Sequence, residues 1–306
     1  MRCRERRRAA AAAIGTSRGR RRWACGYSTT SSLTMIPKFA LRLYRRFLPA
    51  TREWRQTGAA FAAQWAKTPD GPPPTAPTQR RSTLEAFFDA RAEGPGIWKW
   101  QHYFDIYHRH FNPLRQRDSL VILEIGIYSG GSLDMWRDYF GPSATIYGVD
   151  IEPACRTYEC PGTHVLIGDQ ADRTFWRRVM ADGTLPAPDV VIDDGGHTPE
   201  QQRVTLEELL PRIRPGGLYI CEDVHGRDNA FAAFVSGLAD SLNGMEGVNS
   251  DPTNPKRRIA VPTNGVQATI HSVHLYPYVV VIEKRDAPLP ELVAPKQGSQ
   301  WEPFLR

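Results

Sequence analysis

Between residues 120 and 223 one pattern recurs: a short apolar run with a charged or glycine end, then a stretch with apolar positions at helical spacing. The runs LVILEIG (120–126), TIYGVD (145–150), HVLIGD (164–169), DVVIDD (189–194) and GLYICED (217–223) predict strands. GSLDMWRDYF, DRTFWRRVMA and PEQQRVTLEELLPRI predict helices, the last with Pro199 suited to a first turn. Strands alternating with helices require parallel pairing and right-handed crossovers. Further on, AFAAFVSGLADSLN predicts a helix, and VQATIHSVHL and YVVVIEK predict two strands divided by Tyr276 and Pro277. Strands joined so tightly must be antiparallel. The expected fold class is α/β, a doubly wound Rossmann-like sheet of seven strands, mostly parallel, with a C-terminal antiparallel hairpin.

The rest of the 306 residues divides by composition. Residues 1–34 form a leader rich in Arg, Ala and Ser, which reads either as an organelle transit peptide or as a misassigned start ahead of Met35. Residues 35–97 form an N-terminal extension that opens on MIPKFALRLYRRFLPA, read as a short basic surface helix, and includes the Pro-rich linker TPDGPPPTAPTQRR (68–81). The predicted domain spans 98–290, with a tail over 291–306. The formal charge of +6 changes meaning with position: residues 1–50 hold thirteen Lys and Arg against Glu5, leaving 26 basic and 32 acidic residues beyond them. An acidic body argues against a nucleic-acid partner. Apolar runs too short to span a bilayer argue against stable membrane insertion. The five cysteines include no CxxC, which fits reduced thiols and a cytoplasmic setting, or an organelle if the leader is a transit peptide. A homo-oligomer is compatible with all of this.

Candidate chemistry lies at the strand ends. Each of the five parallel strands carries an acid there: Glu124, Asp150, Asp169, Asp193 with Asp194, and Glu222 with Asp223. Any one of these is an ordinary polar exit from the core; seven along one rim point to a site, because ligands in such sheets bind at the carboxyl ends of the strands. The strand–glycine–helix stretch ILEIGIYSGGS lacks GxGxxG spacing, and Glu124 would repel a pyrophosphate. That carboxylate suits a cationic ligand. Asp150 is placed for the hydroxyls of a ribose, and Asp169 with Gln170 for an adenine edge. A nucleoside that carries an ammonium and no phosphate is S-adenosylmethionine.

From Trp98 to about Lys284 the chain resembles the class I S-adenosylmethionine-dependent methyltransferases, and more narrowly the metal-dependent macrolide sugar O-methyltransferases and the cephalosporin hydroxylase family. LEIGIYSGGSLDMW, YGVDIEP, GDQAD, VVIDDGGH, RPGGLYICEDVHG and SVHLYPYVVVIEK, in that order, carry the resemblance. It implies that Glu124, Gly126, Ser129, Asp150, Asp169 and Gln170 hold the cofactor, that Asp193 turns toward it, and that Lys99, His102 and Tyr103 close over it. It implies further that Asp194, Glu222 and Asp223 hold a divalent metal, Mg2+, whose charge would relieve three converging carboxylates. His197, three residues beyond Asp194, is the candidate general base for the hydroxyl of a small-molecule acceptor such as a sugar, polyol or polyketide. Its bland alternative is a histidine that only orients the start of a helix.

Two other functions compete. An iron-dependent hydroxylase would draw a triad from Asp194, His197 and His225 but leave Glu222 and Asp223 unused. A non-catalytic S-adenosylmethionine-binding protein would leave the base unexplained. His225 reads as an ordinary loop residue. The odd spacing of His271 and His274 predicts that they face opposite sides of a strand.

Overall fold

The computed structural model of the chain describes residues 52–64, 82–226, 228–244, 249–250, 258–295 and 297–298. The leader, the segment from Met35, the Pro-rich linker and most of SDPTNPKRR lie outside the described residues. The chain divides into two units, 1–77 and 78–306. In the first, residues 52–64 form helix α1.

The second unit is built on a seven-stranded sheet of order β3-β2-β1-β4-β5-β9-β8. Its parallel strands are β1 (Val121–Ile125), β2 (Thr145–Asp150), β3 (Thr163–Ile167), β4 (Val190–Asp193) and β5 (Leu218–Cys221), with β9 (Val279–Lys284) and β8 (Ile270–Tyr276) antiparallel at one edge. The predicted architecture is borne out. Side chains alternate along each strand, so the sheet feeds two cores. Ile122, Val190, Ile192, Leu218, Ile220 and Val281 join the aromatic residues of α3 (Tyr103–Phe111) and α4 (Gly131–Phe140), among them Tyr107 and Trp136. On the opposite face, Leu123, Ile125, Val191, Tyr219, Cys221 and Ile282 pack with α5 (Arg173–Ala181), α6 (Pro199–Leu209) and α7 (Ala230–Leu242).

The sequence departs from expectation in three places. VQATIHSVHL is not strand throughout: Gly265–Thr269 is the short helix α8, because Asn264 and Gln267 form a capping box that satisfies its first N–H groups. His271 and His274 do not face opposite sides, because the register of β8 against β9 shifts between Ile270 and Ser272. Both come within ion-pairing distance of Glu283. Finally, Glu291–Pro295, within the expected tail, is strand β10, paired with β7 (Arg258–Pro262) and through it with β6 (Asn249–Ser250) in a separate sheet. Helix α2 (Thr83–Ala90), in the stretch read as extension, belongs to the same unit as the sheet and connects to α4 through Arg91 and Asp134 at 2.7 Å.

Candidate active site

Strand alternation decides which acids meet. Glu124 continues the face of Ile122, Asp194 that of Ile192, and Glu222 that of Ile220, so all three lie on the α3/α4 side of the sheet. The ladder extends past the strand ends, with Asp194 N–H donating to Ile125 O at 2.9 Å and Glu222 N–H to Asp193 O at 2.9 Å. Glu124 is therefore not at a strand end at all; it sits within β1 and is fully buried.

The three carboxylates close around one cation, Lys99. Its Nζ lies 2.7 Å from Asp194, 3.0 Å from Glu222 and 3.4 Å from Glu124. Tyr107 donates to Glu222 at 2.6 Å and Ser132 to Glu124 at 2.7 Å. Burial works to lower the Lys99 pKa, yet Asp194, Glu222 and Glu124 outweigh it and hold the ammonium well above its usual value. Glu222 is pushed up to about 8, by burial first and by Asp194 next, against Lys99 and Tyr107. Burial also raises Glu124, opposed by Lys99 and Ser132. Lys99 thus serves the carboxylate cluster, and the positive charge that Glu124 faces belongs to the chain itself.

Asp223 lies apart from that knot. Its Oδ1 accepts from Tyr103 at 2.7 Å and Trp100 at 3.0 Å, while Oδ2 faces His197 Nε2 at 3.5 Å. Asp194 Oδ1 stands 4.0 Å from the same nitrogen. Among the described residues Asp194, His197 and Asp223 form a group whose ligand atoms all lie within 4.8 Å of one another. His225 is outside this group, its ring against Tyr278, so the hydroxylase triad is not assembled. His197 and Asp223 both have left-handed backbone, φ 58° and 54°, which costs about 1–3 kcal/mol per residue. Backbone strain of this kind clusters at active sites and ligand clamps, which makes the facing pair a candidate.

On the other side of VVIDDGGH, Asp193 is 1% exposed and turns into the opposite core, where Tyr219 donates to it at 2.7 Å and Gln170 at 3.0 Å. Burial raises its pKa to about 6 despite both donors. The adjacent aspartates do part company, but Asp193 meets Gln170 beneath the site rather than open cavity. Gln170 is itself spent on structure, donating to Asp193 and Thr205 and accepting from Gly196 N–H.

A single cavity of about 710 Å³ joins these parts, within the range of small-molecule sites. It runs from Gly126, Asp150 and Asp169 past Gly195 to Asp194, His197 and Asp223. Gly126 has φ 83°, and a Cβ there would run into the carbonyl of Asp194, so only glycine fits. Asp150 Oδ2 accepts from the N–H groups of Ile127 and Tyr128 at 3.0 and 3.1 Å, and Oδ1 from Glu152 at 2.9 Å. The loop donors that a phosphate would need are therefore already taken. Asp169 lines the same half, with Oδ1 accepting from Ala171 N–H. Lys99 and Tyr103 line the cavity, whereas Ser129, Glu124, Asp193 and His102 do not. His102 instead reaches the carbonyl of Pro277 at 3.0 Å.

Sequence reasoning missed Trp100, Tyr107, Ser132 and Tyr219, the donors that hold the acids. One signal existed: Tyr103 and Tyr107 are four apart and so share a helix face.

Residues 123–224 match the profile of a family described as a methyltransferase domain. The chain is 33% identical over 246 residues to the 8-demethyl-8-alpha-L-rhamnosyl tetracenomycin-C 2'-O-methyltransferase of Streptomyces olivaceus, covering 70% of this chain and 60% of that one. It is 31% identical over 195 residues to the mycinamicin VI 2''-O-methyltransferase of Micromonospora griseorubida, covering 58% and 47%. The solved structure of MycE methyltransferase in complex with Mg, SAH and mycinamycin VI superposes with a TM-score of 0.54 at 27% identity, over 67% of this chain and 54% of that one. The chain thus spans about half to three fifths of the length of these relatives. Residues 123–224 thus match a methyltransferase domain, and the chain around them is similar to sugar and macrolide O-methyltransferases.

Proposed function

We propose that the chain is an S-adenosylmethionine-dependent O-methyltransferase acting, with a divalent cation such as Mg2+, on a hydroxyl of a sugar, polyol or polyketide-type small molecule. The observation that carries this reading is the single cavity that joins the Gly126–Asp150–Asp169 half to the Asp194–His197–Asp223 half. The names of the relatives, which are O-methyltransferases of glycosylated polyketides, support the same reading.

The residues present fit both groups. Gly126 leaves backbone space that a side chain would fill, and the loop offers carboxylates rather than free phosphate donors. Asp194 and Glu222 already converge on one cation, the Lys99 ammonium, and Asp194 Oδ1 and Asp223 Oδ2 face the cavity beside His197. Hard carboxylate oxygens are the donors Mg2+ takes. Asp194, Glu222 and Asp223 would hold it, with Lys99 giving up part of its hold on Asp194 and Glu222. Bound S-adenosylmethionine supplies a sulfonium methyl, and the divalent cation supplies positive charge beside the acceptor oxygen.

An acceptor hydroxyl must lose its proton as its oxygen gains the methyl. His197 Nε2 is the base within reach, and Asp223 and Asp194 stabilise the imidazolium that results. Its left-handed backbone turns the ring back toward those carboxylates, and the capping box of Thr198 and Gln201 fixes the helix that follows. Trp100 and Tyr103 keep Asp223 from swinging away.

The test is a screen of candidate diols with S-adenosylmethionine and Mg2+, read by mass spectrometry for one added methyl group. His197→Ala is expected to keep calorimetric S-adenosylmethionine binding and to lose about 10²–10⁴-fold in turnover. Full turnover in that variant removes His197 as the base. Absence of S-adenosylmethionine binding by the unaltered chain removes the methyltransferase reading itself.

A further inference from the structure

A second group of metal-ligating side chains lies away from the cavity, at the antiparallel edge of the sheet. His110, near the end of α3, Glu283 on β9 and His274 on β8 present ligand atoms all within 4.8 Å of one another. His110 Nδ1 is 2.7 Å from Glu283 Oε1, and its Nε2 is 2.9 Å from the Tyr276 hydroxyl. His274 Nε2 lies 3.5 Å from Glu283 Oε2, and His271 Nδ1 lies 3.8 Å from that same oxygen. Ser272 donates to Glu283 at 2.9 Å and contacts His274 at 2.9 Å and His271 at 3.2 Å. Two imidazoles and one carboxylate thus face a common point, and the register shift in β8 brings a third imidazole, His271, beside the same carboxylate.

We propose that His110, His274 and Glu283 form a binding site for a divalent transition ion of the zinc class, with His271 within reach as a fourth ligand. Two or three imidazoles with one carboxylate is a donor set suited to zinc, unlike the all-oxygen set of the carboxylate cluster. Tetrahedral ligands at zinc distances stand about 3.4 Å apart, so the side chains need close only slightly. His274 and His271, at 36% and 62% exposure, have room to do so. His110 is set for ligation: with Nε2–H donated to Tyr276, its Nδ1 points at the group, hydrogen-bonded to Glu283 until an ion takes the place of that proton. Glu283 is held ionised, its pKa pulled down to about 2 by the hydrogen bond from His110 first and by Ser272, against partial burial. An ion there would displace the proton between His110 and Glu283 and tie the C-terminal end of α3 to β8 and β9. Helix α3 also carries Tyr103 and Tyr107, the donors to Asp223 and Glu222, so the ion would stiffen a wall of the cavity.

The experiment uses the full chain stripped of metal by a chelator, with Asp194→Asn as background so that the other group does not compete. Zn2+ is titrated calorimetrically and Co2+ by its ligand-field absorption. One equivalent of Zn2+ is expected in the Asp194→Asn chain, with affinity lowered more than about tenfold by adding His274→Ala or Glu283→Gln, and a four-coordinate Co2+ spectrum lost in both. His274 is half-exposed, so its removal leaves the core intact, and circular dichroism checks this. Zinc affinity unchanged in both variants, or no zinc bound once Asp194 is replaced, overturns the proposal.

Discussion

Two glutamates show how the same side chain reaches opposite electrostatic states within one sheet. Glu222, past the end of β5, is pushed up to about 8, and Glu283, on the neighbouring β9, is pulled down to about 2. Each accepts strong hydrogen bonds, so hydrogen bonding alone does not separate them. The difference is water and company. Glu222 is fully buried and shares one ammonium with Asp194 and Glu124, whereas Glu283 is 30% exposed and has imidazoles rather than carboxylates for neighbours. Where acids outnumber cations in a dry place, the chain holds charge it cannot fully satisfy, and this is the condition in which a divalent cation gains most. Where imidazoles outnumber acids at an edge, the chain offers ligands instead.

The sharpest way to break this contrast is to remove the shared ammonium. Lys99→Met leaves Asp194, Glu222 and Glu124 without their cation, and unpairing buried charge costs about 3–5 kcal/mol. The metal-free variant is expected to lose about that much unfolding free energy in urea and to recover much of it in millimolar Mg2+. Stability within about 1 kcal/mol of the parent would mean that Lys99 is not the counter-charge that Asp194 and Glu124 depend on.

Next in size is the dependence on pH, where the two glutamates should act in opposite directions. The folded pKa of Glu222 lies above its unfolded value, so the native state binds the extra proton. Its stabilising contribution is complete below about pH 4.3 and is lost as pH rises toward 8. The folded pKa of Glu283 lies below its unfolded value, so its contribution is complete above about pH 4.3 and is lost as pH falls toward 2. In metal-free protein, Glu222→Gln should flatten the decline in melting temperature between pH 5 and 8. Glu283→Gln should leave that limb unchanged and reduce the acid limb. Matching changes from both variants would show that the contrast does not control stability.

Part of this was legible in the chain and part was not. Apolar runs with period-two alternation are local, so β1, β2, β4 and β5, and the helix GSLDMWRDYF, appear almost to the residue. The glycines and acids of the site were legible too, because charge next to a buried strand is improbable without a task. What the acids do depended on partners far away in sequence: Lys99 meets Asp194 across 95 positions and Glu222 across 123. Local pattern has no means to choose that lysine from others. Alternation correctly parts Asp193 from Asp194, yet only the packing of Tyr219 and Gln170 determines where Asp193 goes. The same alternation failed at His271 and His274, since one register shift in β8 reverses it.

The smallest effect tests whether α3 is part of the site or merely beside it. Tyr103 donates to Asp223 Oδ1 and also accepts from Asp223 N–H at 3.2 Å, so it fixes both the carboxylate and the left-handed backbone that presents it. Burial first, and Asp223 next, push the Tyr103 phenol well above its usual range, so it remains a donor at any working pH. Tyr103→Phe keeps the ring and removes only the hydroxyl. Trp100 still donates to the same oxygen, so the loss should be about 1–2 kcal/mol, or roughly tenfold in turnover. If Asp223 is a ligand, apparent Mg2+ affinity should fall with turnover while S-adenosylmethionine affinity stays constant. A change confined to S-adenosylmethionine affinity would instead assign α3 to the cofactor half of the cavity and leave Asp223 held by Trp100 alone.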